Sequence, residues 1–110
     1  HFVGPKTRSS LGISAKKLCD YLRVIENDYV SENPYHNEIH AADVLQSLHS
    51  MIQMKQKASS FNTSDEDIFA ILLSAAVHDV NHPGKNNAFQ INARTNLAIL
   101  YNDSSVLENR

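Results

Sequence analysis

Two short polar clusters contain most of the residues in this chain that could do chemistry. The first runs from Tyr35 to His40 and the second from His78 to Gly84, and together they hold four of the six histidines. Neutral imidazole and carboxylate are the usual ligands of a catalytic divalent metal, and the adjacent His78 and Asp79 supply one of each. The clusters therefore predict part of a metal site, since a full site needs ligands that are not found here.

The first cluster has the spacing of a pair on one helix face. His36 and His40 are four residues apart, and Val44 and Leu48 continue that face with apolar side chains. A single histidine on a core-facing side is most often a structural residue. Two histidines at this spacing favour a metal site, although the pattern alone is weakly specific.

The second cluster follows the most apolar segment of the chain, residues 68–77. Ionisable side chains at such a place are costly unless they are paired or bound to a metal. Two interpretations stay open: an Asp–His hydrogen bond that caps a helix, or Asp79 bridging two metals while His78 and His40 complete one of them. His82 could be a ligand, a partner through water, or a loop residue.

The elements that must position these clusters are all helical. Ser14 is predicted to cap a first helix that ends before Asn33 and Pro34, and a second is expected from about residue 37 to 55. A capping box, Thr63 to Glu66, should start a third helix, which is apolar on every face and therefore buried all round in a larger domain. Further helices are predicted from residue 87, over 97–101 and after 102–105. No strand alternation is found, so the fold class is all-α: a compact multi-helix array, part of a larger helical domain.

Composition excludes several classes of function. The 110 residues suffice for one domain, and a formal charge of −2 gives no electrostatic footprint for nucleic acid. No run approaches the roughly 18 apolar residues of a membrane-spanning helix. Cys19 is the only cysteine, which predicts a reducing, cytoplasmic location and a small buried thiol. The start at His1 and the composition of the last residues are those expected of a fragment.

Three long motifs resemble one enzyme family. Residues 35–44 read YHNEIHAADV, residues 78–89 read HDVNHPGKNNAF and residues 100–109 read LYNDSSVLEN. In order and spacing they are similar to the signatures of the class I cyclic-nucleotide phosphodiesterase catalytic domain, in its N-terminal part. The glycine, proline and serine content of residues 1–12 predicts an irregular lead-in, and the resemblance implies a partial catalytic domain over residues 13–110.

This resemblance implies hydrolysis of 3′,5′-cyclic nucleotides, cAMP or cGMP, to 5′-monophosphates by a two-metal mechanism. His36 falls on the general acid that protonates the departing O3′. His40, His78 and Asp79 fall on ligands of the tighter metal, usually Zn²⁺. Asp79 would also bridge to a second ion, usually Mg²⁺ or Mn²⁺, and a hydroxide between the two ions would be the nucleophile.

Further positions carry over from the same motifs. His82 and Glu108 match residues that hold water around the second ion. Tyr35 and Asn87 match positions that line the substrate pocket.

The chain also departs from the family pattern. Asn81 stands where relatives often have an acid, and we expect this to tune the site without removing a ligand. Arg110 stands where the family begins a His-His pair, which would place a cation close to Glu108 and in competition with the second metal. The fourth zinc ligand, the purine-binding glutamine and the stacking aromatic all belong to a part of the domain that this chain lacks. The isolated fragment is therefore expected to be inactive.

Two other functions stay open on the sequence alone. One is a His-Asp phosphohydrolase acting on other nucleotides, which shares the pattern of histidines and aspartate. The other is a truncated, non-catalytic helical interaction module. The preference between cAMP and cGMP, and a homodimer of the full-length protein, are likewise left open.

Overall fold

The computed structural model describes residues 9–57 and 63–110. Within these ranges the chain contains helices and turns and no strand, which confirms the predicted all-α class. Five helices have both ends in the described ranges: α1 Ala15–Asp28, α2 Glu38–Lys57, α3 Asp65–Val77, α4 Asn87–Asn92 and α5 Asn96–Leu100.

Polar caps decide where α1 and α3 begin. The Ser14 side chain accepts a hydrogen bond from the Lys17 amide, so the predicted cap of α1 is confirmed. The predicted capping box of α3 was wrong by one residue. Ser64, not Thr63, accepts from the Asp67 amide at 3.1 Å and donates to the Asp67 carboxylate at 2.8 Å. The acid three residues after the cap therefore bonds the serine hydroxyl, whereas in a capping box it accepts from the backbone N–H of the cap residue.

The start of α2 fixes the place of the first polar cluster. The Asn37 side-chain oxygen accepts from the amides of Ile39 and His40, both at 3.1 Å, as a helix N-cap does. The helix begins at Glu38, so His36 lies in the bend before it. The prediction that His36 and His40 share a helix face was therefore wrong, although the two rings remain neighbours with centroids 6.1 Å apart.

Turns replace a predicted helix at the end of the chain. Asn102, Asp103 and Ser105 all have positive φ, which stops helix formation after α5. The turns nonetheless bury Val106 completely. In the lead-in, where a loop was expected, Ser9 and Ser10 are helical; residues 1–8 lie outside the described residues.

The core lies where α2 and α3 pack against each other, with α1 alongside. The radius of gyration of the chain, 16.9 Å, exceeds the value of about 13 Å expected for a compact domain of this length. Ile71 on α3 is 37% exposed, so the expectation that α3 is buried all round is not met within this chain. The helices thus leave apolar surface uncovered, as expected of one part of a larger domain. The buried apolar residues are Tyr29, Ala41, Ile52, Leu72, Ala75, Ala98 and Val106.

Two further expectations concern single features. Cys19 is exposed, and the predicted buried thiol was wrong because the face of α1 that carries it borders an open groove against α2. None of the helices in the described ranges is both long enough and apolar enough to cross a membrane.

Candidate metal centre

Both polar clusters lie at helix ends that meet in space. His40 belongs to the first turn of α2, while His78 caps the C-terminus of α3 and Asp79 follows it. The packing of α2 against α3 brings the start of one helix beside the end of the other. The side chain of His40 therefore meets those of His78 and Asp79, 38 and 39 residues further along the chain. Helix packing brings them together, and their spacing in the sequence does not.

His40, His78 and Asp79 form a first donor group. Each offers one ligand atom, and these atoms all lie within 4.8 Å of one another. The Nε2 atoms of His78 and His40 lie 3.1 and 3.6 Å from the same carboxylate oxygen, Oδ2 of Asp79. Two imidazoles and one carboxylate are a typical set of protein ligands for Zn²⁺.

The hydrogen bonding of His78 shows that this group fits a cation. Its Nδ1 lies 2.9 Å from the Ala75 carbonyl oxygen, which can only accept, so Nδ1 carries the proton. In the neutral ring Nε2 then bears a lone pair and faces the Asp79 carboxylate at 3.1 Å. Two acceptors at that distance repel each other unless positive charge lies between them, which either a second ring proton or a bound cation supplies. A backbone carbonyl that fixes the tautomer in this way is the usual support of a metal-bound histidine.

Asp79 also belongs to a second donor group, with His36 and His82. Their ligand atoms again lie within 4.8 Å of one another. The rings of His36 and His82 stack with centroids 3.8 Å apart and planes 22° apart. One carboxylate is thus shared by two groups of donors, which is the arrangement that a carboxylate bridging two ions requires.

His82 has the hydrogen bonding of a water-holding residue. The Gly84 amide donates to its Nδ1 at 3.1 Å, so the proton of the neutral ring is on Nε2, which becomes a donor. Burial lowers the pKa of His82, and the nearby His36 and Arg110 lower it further against the opposite effect of Asp79. The ring is therefore held neutral. An Nε2 that carries the proton can donate to water and has no lone pair for direct ligation.

Tyr29, which is 5% exposed, positions the main chain of Asp79. Its hydroxyl donates to the Ala76 carbonyl at 3.1 Å and accepts from the Asp79 amide at 3.4 Å. Burial raises the pKa of this hydroxyl, which keeps it protonated and able to donate. The tyrosine thereby ties the end of α1 to the turn that presents the shared carboxylate.

The other predicted site residues lie at the edges of this centre. The Tyr35 ring packs against His40 with centroids 4.2 Å apart and is 60% exposed. Glu108 is in neither donor group; the Asn87 side-chain amide donates to its two carboxylate oxygens at 3.2 and 3.0 Å. These hydrogen bonds lower the pKa of Glu108. The Asn87 side-chain oxygen accepts from the Leu107 amide, so Asn87 holds the turn that carries Glu108.

Both departures from the family pattern are found in contact with each other. Asn81 has a φ of 57°, a left-handed conformation that asparagine tolerates well. Its carbonyl accepts a 2.7 Å hydrogen bond from the Arg110 guanidinium. Arg110 is thus bonded to the loop of the second cluster, while its expected competition with a metal near Glu108 stays a prediction.

Comparison with known proteins decides which family this centre belongs to. The family model described as 3′5′-cyclic nucleotide phosphodiesterase matches residues 35–110. The chain is a member of that family. It is 46% identical over 99 residues to 3′,5′-cyclic-AMP phosphodiesterase 4 of Dictyostelium discoideum, covering 90% of this chain and 9% of that protein. It is also 46% identical over 97 residues to 3′,5′-cyclic-AMP phosphodiesterase 4C of Rattus norvegicus, covering 88% of this chain and 18% of the relative.

A solved structure agrees with this membership in the phosphodiesterase family. The phosphodiesterase domain of Salpingoeca rosetta rhodopsin phosphodiesterase superposes with a TM-score of 0.78 at 36% identity. The match covers 94% of this chain and 30% of that domain structure. The chain therefore spans less than a fifth of the two curated relatives and about a third of a solved phosphodiesterase domain.

Three positioning residues were missed in the sequence. Asn37 could have been found, because an asparagine directly before an acidic first turn is a helix N-cap signal. In the sequence, Tyr29 was interpreted only as an apolar position in the pattern of the first helix. Asn33 was interpreted only as part of a helix-breaking Asn-Pro pair, and its side-chain contacts depend on the tertiary structure.

Proposed function

We propose that this chain supplies the metal-binding part of an active site that hydrolyses 3′,5′-cyclic nucleotides to 5′-monophosphates. One observation carries the proposal: the donor atoms of His40, His78 and Asp79 converge, and the same Asp79 carboxylate also lies beside His36 and His82. Membership in the phosphodiesterase family supports the same reaction. The curated relatives named above are cyclic-AMP phosphodiesterases, so cAMP is the substrate to test first, with cGMP beside it.

The first donor group would hold Zn²⁺ and the shared carboxylate would reach a second ion, Mg²⁺ or Mn²⁺. Nitrogen-rich ligands suit zinc, whereas magnesium prefers oxygen ligands and keeps several waters. When bound, two such cations activate a water molecule as the nucleophile and neutralise charge on the phosphate oxygens. Glu108 and the Nε2–H of His82 would hold water at the second ion. Asp79 would supply a carboxylate oxygen to each ion.

His36 would protonate the leaving O3′ as phosphorus–oxygen cleavage proceeds. An alkoxide is a poor leaving group, and histidine is the side chain best suited to give it a proton near neutral pH. The ring is oriented by its stacking on His82 and by its edge-on contact with Tyr35, whose ring is perpendicular to it at 5.0 Å. Tyr35 and Asn87 would line the pocket that receives the nucleotide.

By itself, the 110-residue segment is proposed to be inactive. It corresponds to 30% of a solved phosphodiesterase domain, and a nucleotide pocket needs walls that surround most of the ligand. The activity belongs to the full-length gene product.

The proposal is tested by assaying the full-length gene product for conversion of cAMP to 5′-AMP. We expect metal-dependent turnover that chelation abolishes, and a loss of about 10²- to 10⁴-fold in kcat for His36→Ala with the zinc content unchanged. His49→Ala is the matched control on α2, because His49 is in neither donor group. Absence of turnover in the wild type, or an unchanged rate in His36→Ala, contradicts the proposed function.

A further inference from the structure

Asn33 connects the two polar clusters through a single side-chain amide. Its Nδ2 donates to the His36 carbonyl at 3.1 Å and to the His82 carbonyl at 2.7 Å. Both N–H groups of the amide are therefore used, one on each cluster. The two residues bound in this way are the same two whose rings stack at 3.8 Å.

The bond to His82 is not what a turn-forming asparagine provides. Asparagine in a turn usually bonds backbone groups two or three residues away. Here the turn itself is closed by the main chain, since the Asn33 amide donates to the Val30 carbonyl at 3.0 Å. The side chain is free for a different purpose and reaches a loop 49 residues further along the chain.

The second cluster is shaped to receive this amide. A Cβ atom added to Gly84 would lie 2.3 Å from the Asn33 side-chain oxygen and 3.0 Å from its Cγ. Glycine at this position, with a φ of +69°, is what allows the loop to close over the asparagine. The Asn37 side-chain Nδ2 donates to the Asn33 carbonyl at 2.8 Å, which ties Asn33 to the cap of α2 as well.

We propose that Asn33 is a positioning residue that holds the general acid His36 at a fixed position relative to the ligand atoms around Asp79. This role rests on the proposed function. The loop before α2 and the loop after α3 share only a few polar contacts, and the Asn33 amide fixes the distance between their main chains. Without it, His36 would move relative to the reacting phosphodiester, while the ligands His40 and His78 would keep the supports on their own helices.

A double-mutant cycle tests this role in the full-length gene product. Asn33→Leu keeps the size of the side chain and removes both donors. We expect it to lower kcat for cyclic nucleotide by about 10- to 100-fold, the effect of a small misplacement of a catalytic group, with KM changed less than about twofold. In a His36→Ala background the same substitution should change kcat less than about twofold, because the group that it positions is already absent. Zinc content should stay at the wild-type value.

Two further variants keep the test decisive. Asn27→Leu makes the same change on the exposed side of α1 and should leave kcat unchanged. If thermal unfolding shows that Asn33→Leu does not fold, Asn33→Asp takes its place, because its side chain also lacks N–H donors. It should show the same dependence of kcat on His36.

Equal losses of kcat in both backgrounds, or loss of zinc from Asn33→Leu, would overturn the positioning role and leave the proposed function intact. A wild type without cyclic-nucleotide hydrolysis would instead refute the proposed function, and this role with it.

Discussion

Asp79 is the residue on which the chemistry of this chain depends. It contributes to both donor groups, and its side chain is only 16% exposed. A carboxylate so placed, with imidazole nitrogens at 3.1 and 3.6 Å, is costly to leave without a positive partner. The supports of its neighbours are main-chain groups: the Ala75 carbonyl fixes His78, and the Gly84 amide fixes His82.

Gly84 provides a prediction at the scale of one residue. Gly84→Ala should destabilise the protein by at least about 1 kcal/mol more than Gly12→Ala. Both glycines have a positive φ, 69° and 65°, so both substitutions carry the left-handed penalty of about 1–2 kcal/mol. Only at Gly84 does the new methyl group collide with the hydrogen-bonded Asn33, since nothing lies within 4 Å of a Cβ at Gly12. Urea unfolding of the two variants measures the difference. Equal losses would show that Gly84 is needed only for its backbone conformation.

At the scale of elements, the end of α3 is held in place by α1. Tyr29 follows the last residue of α1, and its hydroxyl bonds the Ala76 carbonyl and the Asp79 amide across 47 and 50 residues of chain. The Asn81 amide also donates to the Asp28 carbonyl at 3.1 Å. Helix α1 thus buttresses the turn that presents the metal-binding carboxylate, although it supplies no ligand.

Tyr29→Phe should lower the free energy of unfolding by about 1–3 kcal/mol, because it leaves two partly buried main-chain groups without their partner. Tyr21→Phe, at a position 44% exposed on the same helix, should change it by less than about 0.5 kcal/mol. Urea unfolding compares the two variants. If Tyr29→Phe is as stable as Tyr21→Phe, the hydroxyl does not anchor the end of α3.

The helices were more predictable from sequence than the contacts between them. Ser14 and the break before Pro34 are local signals; an apolar stripe located α2, and a capping signal with a continuous apolar run located α3. The start of α2 was predicted to within one residue, but the shared helix face of His36 and His40 was wrong, because the cap formed by Asn37 leaves His36 in the bend before the helix. The exposure of Cys19 depends on which neighbours cover α1, and no local pattern encodes that.

The candidate site was predictable where the ligands carry a motif. His40, His78 and Asp79 were singled out by type and spacing, and the structure brings their donor atoms together. Asn33 and Tyr29 act through hydrogen bonds that exist only in the assembled fold. Periodicity and propensity therefore gave no signal for them.

At the scale of the whole molecule, the chain is an open array that brings a candidate set of metal ligands together where α2 and α3 meet. Large apolar side chains are exposed on several helices, as expected of one part of a phosphodiesterase domain whose other parts would cover them. The donors nevertheless come from α2, α3 and the adjoining loops, all within this chain. A candidate metal centre is therefore the feature that the described residues of this chain assemble most directly.

The zinc content of the purified full-length gene product, measured by elemental analysis after dialysis, tests this centre most directly. We predict about one tightly held zinc per chain in the wild type, and in Asp20→Asn, which removes an exposed carboxylate on α1. Asp79→Asn should lose most of it, because the amide supplies neither the charge nor the shared oxygen. Zinc retained at the wild-type level in Asp79→Asn would contradict the account.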